Sequence, residues 1–318
     1  MQLTNKHDLP KAIFNRIKDD LDSDPYGKSE FKQFRTTQLI GPPLPHTLQE
    51  KYDEEIIVDA TDFMAMIFGT VLHELCEGPD TGDKIHEFPV NKIFEVDGVK
   101  YQLNGTIDET EFDGDEDILV TDNKTCLLRN LGFDKPEYNM QLNIYKHMLE
   151  ETFPGANFKL RIRYFIKDWT SGDLQKALER AQDDFAIWGE GNKKATKTFD
   201  TYEAAQAFFP TMTAKMQAKC EIISRNKSAQ RAAIRREFPE SPVYYKDVPV
   251  MPAEKIEQFI KDRIKIHIDN PNEICGPENR WNNDIRCKSF CRPKNFCPYA
   301  IEQGYNEPQQ SILMSKKL

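Results

Sequence analysis

Asp122 and Lys124 stand two residues apart at the end of an apolar run, Ile118-Leu119-Val120-Thr121-Asp122-Asn123-Lys124. A strand alternates its side chains between two faces, so this carboxylate and ammonium project together. Asp108 ends an upstream run, Gly105-Thr106-Ile107-Asp108, which reads as a neighbouring strand and adds a second carboxylate if the two pair. Two carboxylates and an ammonium converging at strand ends can hold a divalent metal and position a water for attack on a phosphodiester. A solvated salt bridge at a sheet edge would use the same residue types, and a lone Asp-x-Lys is a weak motif. The surrounding residues decide between the two.

Gly69-Thr70-Val71-Leu72-His73-Glu74-Leu75-Cys76-Glu77 sits in an apolar stretch that begins near Phe63. Met66, Ile67, Leu72 and Leu75 fit one face of a helix. His73 and Glu77 are four residues apart and share a side. Gly69, one turn earlier, allows close backbone approach. A buried structural histidine is the plainer reading of His73. A zinc-protease helix is excluded, because no second histidine follows at i+4. A further helix starts near Pro136, a residue suited to a first turn. It stacks Gln141 and Tyr145 at i,i+4, where both can hydrogen-bond phosphate oxygens. An ordinary amphipathic helix carries the same pattern.

Four cysteines, Cys275, Cys287, Cys291 and Cys297, crowd the C-terminal part of the chain. With no signal-peptide pattern at the start, the seven cysteines read as thiols of a reducing compartment. Four thiols so close together there suggest one metal centre. Cys76, near His73 on its helix, is the reserve ligand, whereas Cys126 and Cys220 read as ordinary buried thiols.

In chain order these are Gly-x3-His (Gly69, His73), Gly-x2-Asp (Gly105, Asp108), Asp-x-Lys (Asp122, Lys124), Gln-x3-Tyr (Gln141, Tyr145) and a cysteine cluster. The set resembles the PD-(D/E)XK nuclease superfamily. Within it, the set is most similar to the RecB-like branch, which includes the AddB nuclease domain, CRISPR-adaptation exonucleases and phage exonucleases. The resemblance covers roughly 57–168 and 275–299. Two features depart from it: no cysteine precedes His73, and the Cys287-x3-Cys291 step replaces a C-x2-C step.

The resemblance implies an α/β, restriction-endonuclease-like core, a central mixed sheet flanked by helices. It implies a divalent-metal-dependent deoxyribonuclease, expected as an exonuclease on DNA ends or single strands in recombination, repair or phage DNA metabolism. One or two Mg²⁺ or Mn²⁺ ions would be held by Asp108, Asp122 and the backbone carbonyl of Asn123, with His73 as a further ligand. Imidazole moves the preference towards Mn²⁺. Lys124 would orient the attacking water, and Gln141 and Tyr145 would touch the DNA strand. The four cysteines would hold a [4Fe–4S] cluster, with Zn²⁺ as the alternative. The competing functions are a DNA-binding scaffold without catalysis and a redox-sensing iron–sulfur protein.

The composition is that of a globular chain: 318 residues, 39% apolar and 30% charged. No run approaches a membrane span, and no G-x4-G-K-[ST] motif is present. The expected setting is the cytoplasm of a bacterial or phage-infected cell, with DNA as substrate and a recombination or replication protein as further partner. The net charge of −9 argues against a generic polyanion binder. Basic residues nevertheless cluster at Lys215, Lys219, Arg225, Lys227, Arg231, Arg235 and Arg236, and a helix carrying them would track a phosphate backbone or face solvent.

The expected elements are a helix over 10–22, an extended connector at 41–45 and a helix over 61–77. Strands over 91–95 and 99–107 are joined by an Asp97-Gly98 hairpin turn. A strand over 118–122, a helix over 136–151 and a strand over 158–168 follow. Mostly helical sequence is expected over 202–238, and a helix over 252–268. The implied domains are an N-terminal polar, helical extension (1–53), the nuclease core (54–170), a helical lobe (171–270), a cysteine-rich metal segment (271–300) and a tail (301–318).

Overall fold

Asp97 and Gly98 take φ of 51° and 79°, the left-handed pair that a type I′ turn requires. They join the two longest strands, β4 (Lys84–Val96) and β5 (Val99–Asp113). The computed structural model describes residues 1–23, 26–114, 117–133, 135–182, 185–189, 195–224 and 238–306. Before the hairpin come β1 (Gln2–Thr4), α1 (Lys11–Asp22), β2 (Lys32–Arg35), α2 (Thr36–Ile40), α3 (Pro43–Lys51), β3 (Ile57–Asp59) and α4 (Met64–Cys76). After it come β6 (Asp117–Cys126), α5 (Pro136–Leu149), β7 (Asn157–Ile166), α6 (Ser171–Gln182), β8 (Phe185–Gly189), β9 (Lys197–Phe199), α7 (Tyr202–Phe208), α8 (Ala214–Gln217), β10 (Cys220–Ser224), β11 (Val243–Val248) and α9 (Ala253–Asp269). Short helical turns then run through 277–302.

The fold is α/β, with a six-stranded mixed sheet in the order β11-β7-β6-β5-β2 and β4 also on β5. No helix of the described residues is long and apolar enough to cross a membrane. The chain divides into two compact units. The first holds Met1–Asp122, Lys135–Ile162 and Asp247–Leu318; the second holds Asn123–Asp134 and Arg163–Lys246.

In the first unit, Leu103, Ile107, Ile118, Val120, Leu142, Ile144, Leu149 and Ile162 are almost fully buried. Helix α5 is buried along nearly its whole length, Gln141 to Leu149. Its polar side chains are satisfied there. Asn143 donates to the Asn139 and Pro249 carbonyls and accepts from the Met251 N–H at 2.8 Å, and Lys146 pairs with Glu150 at 2.5 Å. Helix α9 buries Ile256, Ile260 and Ile264, the face that its sequence spacing predicts.

Four expectations change. Of the connector expected at 41–45, Gly41 and Pro42 are extended, but residues 43–45 begin α3, since Pro43 takes the first-turn position where its missing N–H costs nothing. The N-terminal segment supplies a sheet strand, β2, which pairs parallel with β5 from Lys32↔Tyr101 to Arg35↔Asn104. On α4 only Ile67 is buried, against Ile17, Val58 and Phe63; Leu75 is 77% exposed, with Phe68 and Val71 also exposed. The 171–270 segment, expected as a helical lobe, holds a three-stranded antiparallel sheet in the order β10-β8-β9. The short Cys-Glu-Ile-Ile-Ser run of β10 carries adjacent β-branched residues that suit a strand better than a helix.

Candidate active site

Strand β4 pairs with β5 from Val99 to Glu111 and fills one edge of it. Strands β2 and β6 therefore share the other edge. β2 meets β5 at Tyr101–Asn104 and β6 meets it at Glu109–Asp113, which leaves Gly105–Asp108 in the fork between them. The ladder pairs Glu109 with Thr121, so the next register position sets Asp108 against Asp122. Asp122 itself is 2% exposed. The sequence expectation had the two carboxylates at strand ends, whereas both lie within their strands, Asp108 inside β5 and Asp122 inside β6.

Helix α4 delivers His73 to the same place. Its Nδ1 lies 3.7 Å from Asp108 Oδ1 and 3.9 Å from Glu87 Oε1. One ligand atom from each of His73, Glu87 and Asp108 lies within 4.8 Å of the others. A cation bonded at about 2.1–2.3 Å to each donor spans donor separations up to roughly 4.5 Å, so the three fit one divalent ion with little adjustment. Glu87 is a residue that the sequence reading missed. It sits on β4 between His86, which pairs with Glu109, and Phe88, which pairs with Ile107, and so stands opposite Asp108. Its φ of 47° is unusual for a glutamate. Burial and the nearby Glu77 push its carboxyl above the usual carboxylate range. No sequence motif marks it; only knowledge of the hairpin register would have found it.

Gln141 donates to the Tyr145 hydroxyl at 2.9 Å, and both side chains are buried. Burial foremost, then the charges of Asp122 and Asp108, drives the Tyr145 phenol far above its ordinary pKa. The ring of Tyr145 explains Gly105. A Cβ there would overlap the ring carbon Cε1 and lie 3.1 Å from Thr36 Oγ1. We expect Gly105→Ala to destabilise the fold by about 1–3 kcal/mol, read as a lower denaturation midpoint. A midpoint equal to the parent's would show that the ring yields freely. Gly69 behaves differently: among the described residues nothing lies within 4 Å of a Cβ built there, so the expected close approach is not made. Tyr26, from the N-terminal segment, reaches Thr106 at 3.3 Å and carries Arg35 over its ring.

Asn123 and Lys124 continue β6 beyond Asp122 and belong to the second unit. There the Asn123 side-chain oxygen accepts from Arg163 Nη1 at 3.3 Å.

A family model described as the PD-(D/E)XK nuclease superfamily matches residues 66–298. The chain belongs to the PD-(D/E)XK nuclease superfamily. Its members are usually divalent-metal-dependent nucleases, and the His73, Glu87 and Asp108 group supplies donors of the type such metals take. The crystal structure of SSO0001 is similar, with a TM-score of 0.51 and 15% sequence identity over 91% of this chain and 94% of that one. That likeness is one of fold. No curated protein matches the chain.

The four C-terminal cysteines also converge. Cys275, Cys287, Cys291 and Cys297 line one cavity with Leu44, Leu48, Arg280 and Tyr299. Burial and the neighbouring thiols raise Cys275 to about 11 and Cys291 to about 12. Arg286 acts in the opposite direction on both, and Arg280 donates to the Cys275 carbonyl at 2.7 Å. Cys76 does not line that cavity. Of the two cysteines expected to be ordinary thiols, Cys126 is buried and Cys220 half-buried. Lys215 and Lys219 are exposed, whereas Arg225, Lys227, Arg231, Arg235 and Arg236 lie outside the described residues.

Proposed function

We propose that this superfamily member is a deoxyribonuclease of the RecB-like branch, an exonuclease acting on DNA ends or single strands. Its setting would be recombination, repair or phage DNA metabolism in a bacterial or phage-infected cytoplasm. The observation that carries the reading is the register at the sheet fork, which sets Asp108 against Asp122 beside His73. Asp108, Asp122 and the Asn123 carbonyl would hold Mg²⁺ or Mn²⁺, with His73 as a further ligand. A divalent cation in that place lowers the pKa of water and neutralises phosphate charge.

The remaining roles fall to the chain itself. Lys124 orients the attacking water and offsets the negative charge that develops on the phosphate. Tyr145, its hydroxyl oxygen already accepting from Gln141, would have its proton left to donate beside Asp108 and Asp122. Lys215 and Lys219, with the basic residues that follow, bind phosphates farther along the strand. Removing one of these lysines should weaken binding on all sequences and lower the salt slope by roughly one unit at most. An unchanged slope in a multiple Lys/Arg→Ala variant would return that stretch to solvent. Exonuclease action is tested with linear DNA and the same DNA closed into a circle. Release of short products from the linear form alone supports the reading, and equal cleavage of the circle argues for an endonuclease.

For the cysteines we propose a [4Fe–4S] cluster. The four thiols line one cavity. The resemblance and the uneven loops between the four cysteines favour a polynuclear cluster, which accepts such spacing, and Arg280 and Arg286 would offset the negative charge of four thiolates.

A further inference from the structure

We propose that the exposed rings of Trp281 and Phe290, with Lys135 and Arg286 beside them, form a stacking platform for the bases of single-stranded DNA. Both rings stand on the segment between Cys275 and Cys297, a different part of the chain from the carboxylates. The proposal rests on the nuclease reading and deepens it, since it commits the bound substrate to an unpaired strand.

Trp281 is 43% exposed and Phe290 63% exposed. Their ring centroids stand 5.5 Å apart, with the planes tilted by 56°. Two touching aromatic rings at the surface make a contiguous apolar patch. Cations flank it. Lys135 Nζ lies 5.6 Å and Arg286 Cζ 5.7 Å from the centre of the Trp281 ring. From 286 to 296 the sequence carries Arg286, Lys288, Arg292 and Lys294 and no acid, in a molecule of net charge −9. The Lys288 and Lys294 ammonium groups donate to the Asn283 and Lys288 carbonyls at 2.7 Å and 3.1 Å, which holds them to the same loop. Aromatic faces interleaved with cations match a single strand, which offers unpaired bases to the rings and phosphates to the cations.

The platform is tied to the helix that serves the carboxylates. Lys135 is the N-cap residue of α5, and Gln141 and Tyr145 lie on that helix. At about 1.5 Å per residue, Gln141 is roughly 9 Å along the axis from Lys135. A stacked strand advances about 3.4 Å per nucleotide. The rings would therefore grip the strand a few nucleotides from the phosphate under attack. A purely structural Trp281, covering Lys135 and Arg286, would explain the cation contacts. It does not need Phe290, which sets a second ring against it with most of its surface in water.

The test is fluorescence anisotropy of a labelled oligothymidylate with the full chain, purified without oxygen, in EDTA so that binding is read without cleavage. Trp281→Ala should bind about 5–100-fold more weakly, the cost of one lost base stack, with an unchanged salt slope. Lys288→Ala should instead lower that slope by about 0.7. A strand of the same length built from abasic sites should bind the parent and Trp281→Ala alike. Phe290→Leu supplies a second variant, which keeps the apolar bulk and removes the aromatic face. Its denaturation midpoint should match the parent's, and its hold on oligothymidylate should weaken in the same way. Unchanged affinity in both ring variants would overturn the proposal and leave the rings to a protein partner. A loss equally large on the abasic strand would overturn it and make Trp281 a structural support. A parent that does not bind oligothymidylate would overturn it as well. The nuclease reading fails separately, on cleavage in Mg²⁺ or Mn²⁺. A chain that cleaves DNA while both ring variants bind like the parent keeps the nuclease and loses the platform. A chain that binds through the two rings but leaves DNA intact in either cation does the reverse.

Discussion

Lys124→Ala should slow DNA cleavage by about 10²–10³-fold or more while the protein still binds DNA. The lysine is one charged donor aimed at negative charge that appears during phosphodiester attack, and losing one such donor costs rates of that order. It is one cation among the many that set affinity for the DNA backbone, so binding should fall little. Asp108→Asn should be at least as severe, because Asp108 stands against both Asp122 and His73. That variant also removes a negative charge from the substrate face, so DNA affinity should hold or rise. Single-turnover cleavage of end-labelled DNA, with binding measured by fluorescence anisotropy in EDTA, separates the two effects. Full activity in either variant would remove the residue from the site.

The second large effect is expected at the cysteines. Protein purified without oxygen should be brown, absorb in the visible iron–sulfur band and carry about four irons per chain. Cys291→Ser should lose the colour and much of the stability. Thiolate–metal binding contributes to folding on the order of 10 kcal/mol, and in this chain the cavity wall is built from both chain ends. Leu44 and Leu48 of α3 pack with Cys297 and Ala300. Losing the metal should therefore loosen the N-terminal segment along with the C-terminal one, visible as faster proteolysis near α3. Colourless protein with one zinc would reverse the metal and keep the ligands. Protein without stoichiometric metal, and a Cys291→Ser variant as stable as the parent, would remove the centre.

The motif residues were legible because their chemistry is tied to local spacing. The period of two in a strand places Asp122 and its neighbours, and Asp97-Gly98 announces the hairpin. The pairing of Gln141 with Tyr145 follows from i,i+4 spacing and is present as a 2.9 Å hydrogen bond. What the sequence hid depends on distant pairings. β2 reads as polar chain, Lys32-Gln33-Phe34-Arg35, and gains its place only by pairing with β5 sixty-nine residues on, Lys32 with Tyr101. Glu87 looks like any exposed strand glutamate until the hairpin sets it opposite Asp108. The α4 pattern misled in a different way. Its apolar residues surround the helix, and periodicity alone does not tell which of them a neighbour will cover. Only Ile67 finds a buried place, and the later turns carry His73 to the carboxylates instead.

The most direct measurement is incubation of purified protein with end-labelled single- and double-stranded DNA in Mg²⁺, in Mn²⁺ and in EDTA. The carboxylate and imidazole set predicts cleavage with either cation, faster with Mn²⁺ because His73 is among the donors, and none in EDTA. Loss of that cleavage in Asp108→Asn would tie it to this site rather than to a contaminant. Intact DNA in both cations, or cleavage that survives EDTA, would contradict the account.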